Sequence, residues 1–337
     1  MLRYIIRRVI AIPALLLGVV TVTFLITRLI PANPLATVLN SRLLGDKQIV
    51  ALAKAHWGLN GTILQQYGHY LLNLLHGDLG TSFVTKNPVT SDLALRLPAT
   101  LELVFASIII AVIGGVGIGV LAAVRRNTWA DTAARLFTLA GSSTPQYWSG
   151  LILLLILSTR LHLLPGPGQL YPQVYAPPHY TGFIVIDALI SGNWPLAWQA
   201  IEHLILPAFI LGWGVMGSIA RIVRASMLDV LSQDFVRTAR AKGAREVWVI
   251  FGHALRNAML PALTIIGFSV AALLSGDVLV EDIFQWGGIG SYAVTAAESL
   301  DYPAIMGVVI VGGIAFLVAS LLTDLGYAFA DPQIRVA

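Results

Sequence analysis

The chain has 337 residues, of which 57% are hydrophobic and only 11% are charged, and its formal net charge is +4. Soluble domains usually carry about 25% charged residues, so this composition excludes an ordinary soluble protein and indicates a membrane protein. Cysteine is absent, which excludes disulfides, thiol-attached haem and thiolate metal sites.

Six long uncharged runs predict membrane-spanning helices. A bilayer core requires about 20 consecutive apolar residues per helix, and within it only a helix or a closed barrel satisfies every backbone amide. Runs of this length lack the alternating pattern of barrel strands, so the sequence predicts an all-α integral membrane protein. The six runs cover residues 9–27, 103–124, 136–159, 204–220, 257–276 and 302–323.

Lysine and arginine counts near the ends of these runs predict the orientation. Of the 21 basic residues, 14 fall on the side that holds both termini and 7 on the opposite side. Both termini are therefore expected in the cytoplasm. The first run is longer than the apolar region of a signal peptide, which has about 7 to 15 residues, so we expect it to be retained as the first helix.

The first outer connection, residues 29–101, is long enough for a subdomain, and apolar residues at helical spacing predict a helix over residues 65–75. In the second run, Gly115 and Gly119 form a G-x-x-x-G, a spacing that predicts close packing against another helix. Pro145 in the third run and Pro207 in the fourth predict bends in these helices, which serve either a solute path or packing.

Two further connections are expected on the outer side. Residues 161–186 contain five prolines, so they predict a loop rather than a helix, and the wider connection from 160 to 203 is also expected to be a loop. Residues 277–303 contain three glycines after Trp286, which permit a tight turn that either re-enters a cavity or remains at the surface.

Residues 228–261 form the most basic segment of the chain, with five basic residues against three acids. A short helix from about residue 232 to 242 is expected to end at Gly243. From Val247 onward, apolar residues at i, i+3 and i+4 spacing predict a second helix that lies along the membrane or the bundle. From these residues alone, the segment is either a solvated loop or a docking surface for a soluble partner. The apolar face of the second helix consists of Val247, Ile250, Phe251, Ala254, Leu255 and Ala258.

Six motifs, spread along essentially the whole chain, closely resemble those of permease subunits of ATP-binding-cassette (ABC) importers. The resemblance is to the dipeptide and oligopeptide branch, specifically the dipeptide permease B type. The motifs are HGDLGTS (76–82), LPATLEL (97–103), RTARAKG (237–243), HALRNAMLP (253–261), EDIFQWGGIG (281–290) and DPQIR (331–335).

The resemblance implies a type I importer permease with six transmembrane helices and an outer subdomain between the first two. It divides the chain into a cytoplasmic N-terminus with the first helix (1–30), a periplasmic subdomain (31–100), a five-helix core (101–330) and a cytoplasmic tail (331–337). Within the core, residues 228–261 would be the ATPase-docking loop.

The resemblance also assigns site residues. A coupling helix would dock onto the ATPase subunit through Arg237, Thr238, Ala239, Arg240, Ala241, Lys242 and Gly243. The loop would be supported by His253, Arg256, Asn257 and Pro261. A periplasmic gate or turn is expected at Glu281, Trp286, Gly288 and Gly290.

The implied partners are a second homologous permease subunit, two ATPase subunits, a periplasmic or lipid-anchored substrate-binding protein and the lipid bilayer, all at the bacterial inner membrane. No nucleic acid is expected. ATP and Mg²⁺ would bind the partner subunits, because this chain lacks the G-x-x-x-x-G-K-[ST] phosphate loop. The cargo stays open among dipeptides, oligopeptides, glutathione, nickel and sugars.

Two other functions compete with this one. A proton- or ion-coupled secondary transporter would need acids at mid-membrane depth, and none of the six runs contains one. An intramembrane serine protease built on Ser269 would need a base at matching depth, and no histidine lies within a run. We therefore expect a transport subunit with no catalytic residue and no metal site.

Overall fold

The computed structural model describes residues 2–29, 45–57, 59–274 and 278–330, and the side chains of these residues other than 2–9, 56 and 324–330. Over these ranges the chain is helical and has no β-strand, which confirms the predicted all-α class. The α-helices are α1 (Leu2–Leu29), α2 (Lys47–His56), α3 (Ile63–Leu75), α4 (Val89–Val124), α5 (Trp129–Ser143), α6 (Gln146–Leu153), α7 (Ile184–Ile190), α8 (Trp194–Leu231), α9 (Asp234–Ala241), α10 (Leu255–Leu274), α11 (Val278–Ile283), α12 (Ile289–Glu298) and α13 (Tyr302–Ala330). Two π-helical segments, Leu154–Arg160 and Trp248–Ala254, extend α6 and precede α10.

Five helices in the described part of the chain are long and apolar enough to cross a membrane. They correspond to five of the six predicted runs. The exception is the run 136–159, which does not form one continuous helix. The five helices cover Ile10–Leu29, Val89–Val124, Trp194–Leu231, Trp248–Leu274 and Tyr302–Thr323.

The run 136–159 is broken at Thr144 and Pro145. Thr144 has φ −93° and ψ 134°, an extended conformation, and Pro145 has no N–H to continue the helix. A residue before proline is disfavoured in the helical region because the proline ring clashes with it. The predicted third span is therefore corrected to two rods, α5 and α6, with the π-helical segment Leu154–Arg160 continuing the second.

The two longest helices, α4 and α8, make the most extensive helix contact in the described structure. A Cβ on Gly115 would lie 2.8 Å from Cβ of Ile219, and one on Gly119 would lie 2.8 Å from the Ala220 carbonyl oxygen. From the other side, a Cβ on Gly212 would lie 2.7 Å from the Ser107 carbonyl oxygen. These glycines let the two backbones approach closely, so the packing prediction for the G-x-x-x-G is confirmed.

Several predicted boundaries were wrong. α4 begins at Val89 and α8 begins at Trp194, well before the predicted spans at 103 and 204. The expected outer loop 160–203 therefore contains α7 and the first turns of α8, although residues 161–183 are non-helical as predicted. The helix predicted over 65–75 is confirmed as α3, and the connection 277–303 contains α11 and α12.

The segment before α4 is fastened to the chain just before α13. The hydroxyl of Ser82 donates a hydrogen bond of 2.5 Å to Oδ2 of Asp301, and the Val84 amide donates to the same oxygen at 3.2 Å. Ser82 and Asp301 are both buried. The HGDLGTS motif therefore ends in a contact that joins the segment before α4 to the start of α13.

Candidate functional site

The predicted docking residues lie on α9 and directly after it. Val236 is fully buried and belongs to the apolar cluster that also contains Val223 of α8 and Val249 of the following π-helical segment. Ala239 is half-buried, and the other six predicted docking residues are exposed. The sequence therefore builds a short helix with one anchored side and an open side rich in basic and small residues.

α9 ends in a Schellman motif around Gly243. Gly243 has φ +77°, its N–H donates to the Arg240 carbonyl at 2.9 Å, and the Ala244 N–H donates to the Ala239 carbonyl at 3.2 Å. Only a residue tolerant of positive φ fits this position without strain. The structure thus places Lys242 and Gly243 beyond the helix, which runs from Asp234 to Ala241 instead of the predicted 232–242.

An ion pair closes the turn after α9. Arg240 donates to Glu246 through Nη2 at 2.7 Å and through Nε at 3.2 Å. These hydrogen bonds hold the pKa of the Glu246 carboxyl below its usual range and raise the pKa of Arg240. Both side chains are largely exposed, so we expect the pair to contribute less than about 1 kcal/mol to stability and mainly to fix geometry.

The apolar face predicted from Val247 was partly wrong. Val247 and Phe251 are 65% and 57% exposed, whereas Val249 is fully buried. The reason is the π-helical geometry of Trp248–Ala254. A wider turn brings i and i+5 onto one side, so Val249 and Ala254 face the core together, and the α-helical spacing resumes from Ala254 to Ala258.

The four support residues do not lie in a loop. His253 is in the π-helical segment, while Arg256, Asn257 and Pro261 are in α10, and all four are exposed. The Asn257 amide donates to the His253 carbonyl at 2.9 Å. The predicted loop 228–261 therefore reduces to residues 232–233 and 242–245, with helices on both sides.

Glu281, the first predicted gate residue, is 2% exposed and holds the turn between α11 and α12. Its Oε1 accepts a hydrogen bond of 2.7 Å from the Thr100 hydroxyl of α4, and its Oε2 accepts one of 2.9 Å from the Gly290 amide. The carboxylate therefore joins α4 to the N-terminus of α12, where the helix dipole favours negative charge.

The other predicted gate residues pack around this carboxylate. Trp286 is buried, and its indole N–H donates to the Ala99 carbonyl at 2.8 Å. A Cβ on Gly288 would lie 2.4 Å from both the Glu281 Oε2 and the Thr100 hydroxyl oxygen, so no larger residue fits there unchanged. The four predicted residues are thus brought together, in a turn that is buried and tied down.

Among the buried polar residues that sequence reasoning missed are two sets with hydrogen-bonding partners on other helices. Thr100 lies inside the LPATLEL motif but was given no role of its own. The second set is the buried Asp131 of α5 and Arg224 of α8, whose side chains form two hydrogen bonds of 2.9 and 2.8 Å. Isolated polar residues carry no spacing signal. The one indication in the sequence was that each of these residues lies close to an apolar run.

Comparisons with known proteins agree on one family. The family described as "Binding-protein-dependent transport system inner membrane component" matches residues 115–336, and its N-terminal counterpart matches residues 1–104. The probable D,D-dipeptide transport system permease protein DdpB of Escherichia coli (strain K12) is 40% identical over 94% of this chain and 93% of that protein.

Two further relatives extend over nearly the whole chain. The dipeptide transport system permease protein DppB of Alkalihalophilus pseudofirmus is 40% identical over 99% of this chain and 100% of its own length. The glutathione transport system permease protein GsiC of Salmonella choleraesuis is 36% identical over 99% of both chains. The similarity therefore includes α9 and the turn at Glu281.

Proposed function

This chain belongs to the family of binding-protein-dependent transport system inner membrane components, as a multi-pass inner membrane permease of the ABC dipeptide type, and we propose that it carries dipeptides or short oligopeptides by ATP-driven alternating access. It is a transport subunit in this proposal, and separate ATPase subunits hydrolyse the nucleotide. The named relatives support the cargo class, since two of those described above are dipeptide permeases.

The geometry of α9 is the observation that carries the mechanism. A partner that pushes on this helix needs an exposed contact face and a rigid connection behind it. The exposed residues on and after α9 supply the face, and the buried Val236 supplies the connection. We propose that Arg237 to Gly243 form the coupling helix that docks on an ATPase subunit.

Displacement of α9 would reach the long helices by direct packing. Only Ser232 and Gln233 separate α9 from α8, and α8 packs along α4. On the other side, Val236 shares one apolar cluster with Val249 and Ala254, which lead into α10. Close-packed interiors transmit strain because they have few voids. A movement imposed at α9 would therefore be passed to two neighbouring helices.

The buried turn at Glu281 fits a gate that opens at the outer side. α12, whose first turn the carboxylate holds, packs against both α4 and α13. We propose that the Glu281–Thr100 contact holds this turn to α4 in one state, and that the turn moves with α12 and α13 when the helices rearrange.

The finer topology is part of the proposal. Six crossings result if α5, α6 and the π-helical segment Leu154–Arg160 together supply the third crossing, and both termini are then cytoplasmic, as the arginine and lysine counts predict. Helices α2 and α3 belong to the periplasmic subdomain in this arrangement. The DPQIR motif and the tail at 331–337 lie outside the described residues.

The proposed assembly contains a second, homologous permease subunit as a heterodimeric partner, two ATPase subunits and a periplasmic or lipid-anchored binding protein. This chain binds no cofactor in the proposal, because ATP and Mg²⁺ are held by the ATPase subunits. Nucleic acid has no role.

Reconstitution tests the proposal. Proteoliposomes that contain both permease subunits, with the ATPase subunits and the binding protein added, should accumulate a labelled dipeptide only when ATP is supplied. Omission of either the ATPase or this chain should abolish accumulation. Uphill accumulation by this chain alone, driven by an ion gradient, would instead establish the secondary-transporter alternative and refute the proposal.

A further inference from the structure

A cavity of 430 Å³ lies between the end of α1, the helices α2 and α3, residues 78–83 and the start of α13. This volume is in the range of small-molecule sites, which measure about 300–1,000 Å³. The cavity is separate from α9 and from the turn at Glu281. None of the residues assigned to those two sites lines it.

Unpaired polar atoms are concentrated around this cavity. Across the described residues, four buried side-chain atoms have no hydrogen-bond partner, and all four belong to residues that line it. Leaving such an atom unpaired costs about 1–3 kcal/mol, and native structures contain few of them. Their concentration in one wall indicates that a missing group completes the hydrogen bonding. The atoms are Arg28 Nε, Gln66 Oε1, Tyr70 OH and Tyr302 OH.

The charge of the missing group follows from Arg28. Its guanidinium lies 5.2 Å from the ring centroid of Phe24 and 5.8 Å from that of Tyr302, so two aromatic rings hold it in place. Among the described residues no acid forms an ion pair with it. A guanidinium fork matches a carboxylate through two parallel hydrogen bonds.

The rest of the lining favours a small zwitterion over a lipid surface. Arg28 is accompanied by the neutral amides of Asn60, Gln66 and Asn73 and by one acid, Asp78. Recognition of anionic lipids relies on clusters of roughly four to eight basic residues. A small zwitterion with a peptide bond carries one carboxylate, one amide and one ammonium group. The cavity offers a partner for each of them: one cation, several neutral hydrogen-bonding groups and one anion.

We propose that this cavity binds a dipeptide-sized zwitterion, with its carboxylate on Arg28 and with Tyr302 as a second hydrogen-bonding partner. Tyr302 is 3% exposed and its unpaired hydroxyl belongs to the cavity wall, so the site is built into the fold rather than formed at its surface. The choice of a peptide as ligand rests on the proposed function. The binding itself requires neither ATP nor a partner subunit.

Equilibrium dialysis of radiolabelled L-alanyl-L-alanine against the full chain in phosphatidylcholine nanodiscs tests this site. We expect saturable binding that weakens by about tenfold in Arg28→Gln, because a charge-assisted hydrogen bond is lost. The exposed Arg160→Gln is the matched control and should bind as the unmodified chain does. Alanyl-alanine amide, which lacks the carboxylate, should bind about tenfold more weakly than the free acid.

The proposed site is refuted if the unmodified chain does not bind the dipeptide, which would leave only water in the cavity. It is also refuted if Arg28→Gln binds the dipeptide with the same affinity as the unmodified chain. If Arg28→Gln does not fold, Tyr302→Phe decides, since unchanged affinity in that variant refutes the assignment. Loss of dipeptide binding in nanodiscs that contain phosphatidylglycerol would assign Arg28 to a lipid phosphate instead. Because no ATPase is present, these results are independent of the uptake experiment.

Discussion

Asp131 accepts hydrogen bonds of 2.9 and 2.8 Å from Nε and Nη2 of Arg224, and so joins the first turn of α5 to the last third of α8. The Asp131 carboxylate is fully buried and also accepts a hydrogen bond of 3.1 Å from the Asn127 amide. Arg135 lies 3.3 Å away but is 57% exposed. Of the two arginines, Arg224 therefore makes the stronger contact with Asp131.

Replacing Asp131 by Asn should destabilise the folded chain by about 3 kcal/mol, because the partly buried Arg224 loses its counter-charge. Thermal unfolding in detergent micelles measures the effect. Arg135→Gln is the control, and we expect a change below about 1 kcal/mol there because that ion pair is exposed. Equal destabilisation by the two variants would show that Arg224 does not dominate.

The same ion pair, which lies ahead of the apolar run 136–159, predicts an acid-sensitive stability. The hydrogen bonds from Arg224 lower the pKa of Asp131 from 3.8 to about 2. A lowered folded-state pKa stabilises the fold above the unfolded value, and this contribution is lost as the pH falls from about 4 towards 2. Unfolding temperatures of the unmodified chain and Asp131→Asn should therefore converge across this window. Parallel curves would contradict the assignment.

Gly243→Val should uncouple ATP hydrolysis from dipeptide uptake in the reconstituted assembly while the protein remains folded. A β-branched residue is strained at φ +77°, so the Schellman end of α9 should rearrange. Gly243→Asn is the matched control, since asparagine tolerates this conformation, and it should retain most coupling. Normal uptake per ATP in Gly243→Val would count against the docking role.

Alanine at Gly115 or Gly119 should destabilise the α4–α8 contact by about 1–3 kcal/mol, since the new methyl group overlaps α8. Gly117 lies between them on the same helix, and a methyl group there would have nothing within 4 Å, so Gly117→Ala serves as the control. Helix propensity favours alanine there by up to about 1 kcal/mol. Unfolding temperatures that fall equally in all three variants would refute the close-packing interpretation.

Gly288→Ala should disrupt the turn at Glu281, because its methyl group would overlap both the carboxylate and the Thr100 hydroxyl. We expect a loss of about 1–3 kcal/mol in unfolding free energy. Gly68→Ala in α3, where the space is open, is the control and should be neutral or slightly stabilising. An unchanged unfolding temperature in Gly288→Ala would show that the turn is not tightly held.

Local signals account for what the sequence could predict. The predictions of the helix over 65–75, of the end of α9 at Gly243 and of close packing at Gly115 each use only residues within about two helical turns. Periodicity and backbone preference operate over that distance, so they can be read without the fold. The all-α class follows from composition in the same way.

Contacts between distant residues could not be predicted in this way. The hydroxyl of Thr100 and the carboxylate of Glu281 are separated by 181 positions, and neither residue type indicates the other. Likewise, the burial of Val249 instead of Val247 depends on a π-helical turn that no α-helical periodicity contains. Such features arise from tertiary packing, and the residue types in the sequence do not show which distant residues will come into contact.

The interruption at Thr144 and Pro145 ends the helical hydrogen-bond ladder between α5 and α6, whereas α4, α8 and α10 remain continuous through Pro98, Pro207 and Pro261. A continuous helix resists bending because its amides donate to carbonyls one turn back, but at this joint Thr144 is extended and Pro145 has no N–H to donate. The two helices can therefore change their mutual tilt at this joint while every backbone hydrogen bond within each helix stays intact. Asp131 clamps the far end of the first rod, so such pivoting would swing α6 and leave α5 in place.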